Sequence, residues 1–209
     1  MKLVELNLKE FAETLGSDAP APGGGSASAL AATKGVALTE MVMNLTIGKK
    51  KYAEYEDELK GIHEKAVQLR EDLLVAIDKD TEAFNDVSAV FSMPKSTDEE
   101  KAERKQAMSN ALKGAAKTPL EMMSLAVDAL EITHQAVGKS NTNAASDLGV
   151  AALNLNAGLK GAYLNVLINL PGIKDDAFVS ENRQKAEDYL AKGEELAEKI
   201  YTAIVNDLK

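Results

Sequence analysis

The stretch from Leu73 to Phe91, LLVAIDKDTEAFNDVSAVF, sets Leu73, Ile77, Asp80, Phe84, Val87 and Phe91 at alternating spacings of four and three. Such a seam is what a helix turns toward its partners, so the stretch predicts a long helix packed against others. One of its apolar places holds a carboxylic acid. Burial among aromatic and aliphatic neighbours penalises the charged form and raises the pKa. A carboxyl group that titrates closer to neutrality can both take and give a proton. Asp80 is therefore a candidate general acid-base, the alternative being a buried aspartate held by a structural hydrogen bond or ion pair. Asp78 and Glu82 fall on the opposite face and read as solvated charges.

Working outward, helical signatures recur and strand signatures do not. Asn7-Leu8-Lys9-Glu10 reads as a capping box for a short helix that Gly16 ends. After the poorly helical segment 17–25, Ser26 opens a helix to about Thr46 whose small residues, Ala27, Ala29 and Ala32 among them, allow close neighbours. Tyr52 to about Phe91 reads as one long helix, or two nearly continuous ones, stopped before Pro94. Ser96 through Glu100 offers a second capping box, and Thr118-Pro119-Leu120-Glu121 reads as the start of a further helix closed by Gly138. Asn143 is placed to cap a helix running to Leu170, and a last amphipathic helix follows Ser180. The expected architecture is all-α, a bundle of long antiparallel helices in a single domain over residues 1–209.

Composition narrows the function. A length of 209 residues with 45% apolar content is ample for a core. Without cysteine there are no disulfides, no thiolate catalysis and no cysteine-containing metal site, and only His63 and His134 could serve as imidazole ligands. A net charge of -9 disfavours nucleic-acid and anionic-membrane partners, which are bound largely through lysine and arginine. The opening MKLVELNLKE interrupts its apolar residues with charges, unlike a signal peptide. The most apolar helix is broken by Asn154, Asn156, Lys160, Asn165 and Asn169, unlike a membrane span. A cytoplasmic location is expected.

Two further segments carry chemistry. In Pro20-Ala21-Pro22-Gly23-Gly24-Gly25-Ser26, glycines feed a helix, leaving backbone N-H groups at the positive end of its dipole where a carboxylate or ring carbonyl could dock. The bland reading is a flexible connector. No strand precedes it, so it is not a dinucleotide fingerprint. Farther on, Asp147, Asn154, Gly158, Gly161 and Asn165 fall near one face of a helix that is apolar over most of its remaining surface, and so is expected to be mostly buried. That stripe could line a groove for a flat, heteroatom-rich ligand, or its glycines could permit tight contact and its asparagines cross-link neighbours. Lys49, Lys50 and Lys51 make a local cationic spot, either solvated or facing an anionic tail.

With these residues in order the chain resembles the cyclodeaminase and methenyltetrahydrofolate cyclohydrolase family of folate one-carbon enzymes. The resemblance rests on Pro22-Gly23-Gly24-Gly25-Ser26, residues Asn44 to Tyr52, Asp80-Thr81-Glu82-Ala83-Phe84, Ser146-Asp147 and Asn165 to Leu170. It departs at Ser140-Asn141-Thr142-Asn143, where relatives often carry Gly-Asn-Pro-Asn. The resemblance implies a homodimer with tetrahydrofolate in a groove at or near the subunit interface, no metal and no cofactor beyond the folate. It also implies that Asp80 is the catalytic proton donor and acceptor. Asp147 is expected to orient the one-carbon bridge, Pro22 to Ser26, Asn143 and Asn165 to contact the substrate, and Lys49 to Lys51 to attract a glutamate tail.

Two reactions fit such a family. In one, water opens methenyltetrahydrofolate to formyltetrahydrofolate; in the other, formiminotetrahydrofolate closes to the methenyl compound and loses ammonia. At 209 residues the chain leaves no room for a formiminotransferase domain beside this one. The form of the Asn44 to Tyr52 segment favours the cyclohydrolase. A helical protein that binds folate or pairs with other helices without catalysis is the alternative of another class.

Overall fold

The computed structural model describes residues 2–209 and contains, among them, six α-helices and no strand. These are α1 (Leu8–Leu15), α2 (Gly24–Asn44), α3 (Glu56–Phe91), α4 (Asp98–Ala136), α5 (Ala145–Asn169) and α6 (Asp176–Asp207), with short 3-10 turns between several of them. The capping signals explain most boundaries. Asn7 accepts the amides of Lys9 and Glu10 while Glu10 returns to Asn7, and Thr97 and Glu100 form the same reciprocal pair at the start of α4. Gly48 and Gly138 take positive φ, 81° and 76°, at the turns that follow α2 and α4.

Buried side chains of the five longer helices form one core, including Val36 and Met43 from α2, Leu59 and Leu73 from α3, Met123 and Leu130 from α4, Leu155 and Leu159 from α5, and Ile200 from α6. Helices α2 and α5 run antiparallel at very close range, because glycines replace side chains where they cross. A Cβ at Gly158 would stand 2.8 Å from the Ser28 carbonyl oxygen, and one at Gly35 would meet Leu155 and the Ala151 carbonyl. A Cβ at Gly161 would overlap the Ser28 hydroxyl. Gly158 and Gly161 therefore serve tight packing rather than a ligand groove, and Asn154 bonds back to the Val150 carbonyl at 2.9 Å.

Five expected helix starts differ. Helix α2 begins at Gly24, ahead of Ser26, and α3 at Glu56, after a 3-10 turn over Lys50–Tyr55 that includes Tyr52. Thr118-Pro119-Leu120-Glu121 opens no helix, since Pro119 lies inside the continuous α4. Proline removes the amide that would bond four residues back, to Ala115. The Asn169 side-chain amide supplies the missing donor, 3.1 Å from the Ala115 carbonyl oxygen. Helix α6 begins at Asp176, earlier than Ser180, because Asp175 caps it by accepting the Phe178 amide. Asn143 does not cap α5, whose N-cap is Ala144. Asn141 organises that turn instead: its side chain accepts the Asn143 amide and donates to the Leu45 carbonyl at 3.1 Å, and its own amide reaches the Thr46 hydroxyl at 2.9 Å. It thereby satisfies a carbonyl left bare at the end of α2. Ser140 needs no positive φ.

The surface also departs from expectation. Asp78 is not merely solvated, because it accepts the Leu3 amide at 2.6 Å and fixes the N-terminal turn to α3. The C-terminal half of the Leu73 to Phe91 seam outruns the core, leaving Phe84 partly open and Phe91 62% exposed. Helix α5 is not buried all round: Val150, Leu153, Leu164 and Ile168 form an exposed apolar stripe along its length, beside exposed Met41 and Leu45 of α2. No helix is long and apolar enough to cross a membrane among the described residues.

Candidate active site

Helix α3 carries Asp80 to the first turn of α2, and the contact is made by the helix end itself. Ser26, the third residue of α2, donates its backbone N-H to Asp80 Oδ2 at 2.9 Å. The Ser26 hydroxyl lies 3.3 Å from the same oxygen and is anchored on the Ile77 carbonyl at 2.8 Å. Gly23, the N-cap, has no side chain to fill that role, so Asp80 caps α2 from another helix. Gly25 makes room for it, since a Cβ there would overlap the carboxylate.

Two influences meet on this carboxyl group. Burial disfavours the anion and pushes the Asp80 pKa up, while the hydrogen bonds from the Ser26 amide and hydroxyl pull it down, and burial prevails. Oδ2 is occupied by Ser26; Oδ1 accepts no hydrogen bond among the described residues. Oδ1 thus keeps its hydrogen-bonding capacity free.

Asp80 opens into a cleft of about 320 Å³. Pro20 to Gly25 form one lip, without the buried Pro22; Thr81 and Phe84 of α3 form a second wall; Asn165 and Asn169 of α5 form a third. Asn165 donates through Nδ2 to the Gly161 carbonyl at 2.8 Å, which turns its oxygen outward. The amides of Gly24 and Gly25 find no acceptor among the described residues, as expected for the first turn of a helix. A planar ligand would therefore meet an apolar ring face at Phe84, bare donors at the glycines, an amide acceptor at Asn165 and one carboxylate oxygen.

The structure brings together Gly23, Gly24, Gly25, Asp80 and Asn165 as the sequence suggested. Pro22 and Ser26 stand behind the wall, the first shaping the turn and the second holding Asp80, rather than facing the cleft. Asn169 and Thr81 line the cleft with no warning from the seam pattern. Asn169 was legible only as a polar break in an apolar helix, and its role follows from the proline in α4.

The remaining expected residues form a second cluster at the other end of α2 and α5. Asp147 lies eighteen residues before Asn165, about 27 Å along the axis of α5. Lys51 reaches the Thr142 hydroxyl at 3.3 Å, and its ammonium stands 5.2 Å from the centre of the Tyr52 ring. The Tyr52 oxygen accepts the Thr142 amide at 3.1 Å; hydrogen bonds from Thr142, with the nearby Lys51, draw its pKa down to about 8. Within one chain Lys49 to Lys51, Asn143 and Asp147 do not reach the Asp80 cleft.

Residues 7–188 match the model of a family described as formiminotransferase-cyclodeaminase. Over 94% of this chain and 95% of the relative, the sequence is 43% identical to a methenyltetrahydrofolate cyclohydrolase of Methylorubrum extorquens. The chain belongs to the formiminotransferase-cyclodeaminase family. Its fold agrees: a formiminotetrahydrofolate cyclodeaminase from Thermotoga maritima superposes with a TM-score of 0.88 and 31% identity, covering 98% of each chain. A formimidoyltransferase-cyclodeaminase of Gallus gallus is 34% identical over 87% of this chain, which spans only 34% of that longer relative.

Proposed function

We propose that this member of the family is a methenyltetrahydrofolate cyclohydrolase with Asp80 as its general acid-base. The observation that carries the reading is the Asp80 carboxylate at the cleft, with Oδ2 fixed by Ser26, Oδ1 without a hydrogen-bond partner among the described residues and its pKa raised by burial. Similarity to a cyclohydrolase over nearly the full length of both chains supports it. In the reaction, Asp80 removes a proton as water adds to the cationic carbon bridging two folate nitrogens. The resulting carbinol collapses: Asp80 returns the proton to the departing nitrogen, the carbon-nitrogen bond breaks, and the hydroxyl proton passes to solvent. One water is consumed, one proton is released, and formyltetrahydrofolate remains. Before attack, the ionised carboxylate also faces the cation and steadies it. Phe84 would cover the ring, while the Gly24 and Gly25 amides and Asn165 would orient it. No oxidation state changes, so the chemistry needs only the folate and water.

The exposed apolar stripe of α5 and α2, interrupted by Lys160 alone, which pairs with Glu194 of α6, supports a homodimer, since a largely apolar face of this length is what an isologous interface buries. Pairing across a two-fold axis near Ala157, with the α5 helices antiparallel, would bring the partner subunit's end of the stripe, with its second cluster, to the Asp80 cleft. Asp147 would then orient the bridge, Asn143 would contact the substrate, and Lys49 to Lys51 would draw an anionic substrate to the mouth. We place this enzyme in the cytoplasm.

The likeness to the Thermotoga maritima cyclodeaminase favours a second reading, closure of formiminotetrahydrofolate with loss of ammonia, through the same carboxylate. Absorbance of the methenyl chromophore separates them. Accelerated loss starting from methenyltetrahydrofolate is the expected result. Accumulation of the chromophore with ammonia from formiminotetrahydrofolate would establish the second reading, and silence of the folded protein in both assays would overturn both.

A further inference from the structure

Asn169 relieves a defect in another helix and, in doing so, presents an oxygen to the cleft. Pro119 has no amide to bond to the Ala115 carbonyl of α4. Asn169 Nδ2 donates there at 3.1 Å and to the Asn165 carbonyl at 2.8 Å. With both N-H groups committed to backbone carbonyls the side chain has one orientation, and its Oδ1 accepts nothing among the described residues. Asn165, one turn earlier, is turned the same way by the Gly161 carbonyl. Asn156 Oδ1 is the one buried side-chain oxygen without a partner among the described residues, so the oxygens of Asn165 and Asn169 are open. Both residues line the cleft.

Polar groups therefore follow one another in a fixed order along the cleft. Asp80 stands against Gly25, where a Cβ would overlap its carboxylate. Gly24 comes next, with a bare amide, and a Cβ on it would lie 3.4 Å from Asn165 Nδ2. Asn169 follows Asn165 about 6 Å along α5. The series runs carboxylate, backbone donors, acceptor, acceptor. A pterin ring carries the complement along one side: the nitrogen bearing the one-carbon bridge, the ring carbonyl, the N-H beside it and the exocyclic amino group.

We propose that Asn169 is a specificity-determining residue that accepts a hydrogen bond from the ring amino group, while Asn165 accepts one from the neighbouring ring N-H. The assignment rests on the folate reading above. A site built to accept an N-H disfavours an analogue that lacks it, because its own oxygen is then left unpaired.

Equilibrium dialysis of 5-formyltetrahydrofolate against its 2-desamino analogue, in which hydrogen replaces the amino group, tests this. The wild type is expected to favour the parent by about 10-fold, the scale of one neutral hydrogen bond. In Asn169→Ala that ratio should fall near one, and in Asn165→Ala it should persist. Removing Asn169 also strips the Ala115 carbonyl of its donor, so the ratio is read again in Pro119→Ala/Asn169→Ala, where the new alanine supplies its own amide to α4. A ratio near one in this double variant sustains the assignment. A wild-type ratio there means that Asn169 only repairs the helix, and overturns it. A ratio lost in Asn165→Ala but kept in Asn169→Ala overturns it as well. Folded wild type that binds neither ligand overturns the folate reading and this assignment together, whereas equal binding of both ligands overturns this assignment alone.

Discussion

At the scale of single residues, Asp80 places function against stability. Because its pKa is raised by burial, the native state holds the proton more tightly than the unfolded chain does. The stability this group contributes is complete below the ordinary carboxylate pKa and is lost as pH rises through the raised value, so the anion needed at neutral pH weakens the fold. Asp80→Asn keeps an oxygen for the Ser26 amide and removes that charge. Its melting temperature is expected to equal or exceed that of the wild type at pH 7, with the gap closing as the pH is lowered. A variant several degrees less stable at pH 7 would refute this balance. Asp80 itself was legible because an acid interrupts a regular seam. Its hold on Ser26 was not, because the bond runs to a backbone amide fifty-four residues away and leaves no pattern in side-chain type.

At the scale of elements, the α2 and α5 pair sets the cleft by bringing Gly24 beside Asn165. Their close approach depends on glycine where the backbones meet. Gly158→Ala puts a methyl group against a carbonyl oxygen and Ala32, and such overpacking costs about 1–3 kcal/mol. For a chain of this size that lowers Tm by about 2–12 °C; an unchanged Tm would mean the helices separate freely. Capping boxes marked the starts of α1 and α4 because their partners are three residues apart. Thr118 to Glu121 carried the same local grammar and was misleading, since the donor that relieves Pro119 comes from Asn169 on another helix. Local sequence cannot distinguish a proline that begins a helix from one whose lost hydrogen bond is replaced from outside.

At the scale of the whole molecule, the residues expected to act on one substrate divide between opposite ends of the α2 and α5 pair. All-α architecture was readable from periodicity, but the division was not, because antiparallel packing decides which segments meet. The exposed stripe between the clusters leads to a specific outcome for the homodimer. Asp80→Asn and Asp147→Asn proteins, each impaired alone, should regain activity when unfolded and reassembled together. Half of the dimers would be mixed, each with one intact site, giving about a quarter of wild-type turnover. No recovery would place both residues in one subunit's site, and a fully active Asp147→Asn protein would remove that residue from the chemistry.

The most direct measurement is methenyltetrahydrofolate turnover by Asp80→Asn alongside its affinity for folate. Loss of a general acid-base typically costs about 100-fold or more, so the account predicts a folded, folate-binding protein slowed to at least that extent. Near-wild-type turnover by the same protein would contradict it.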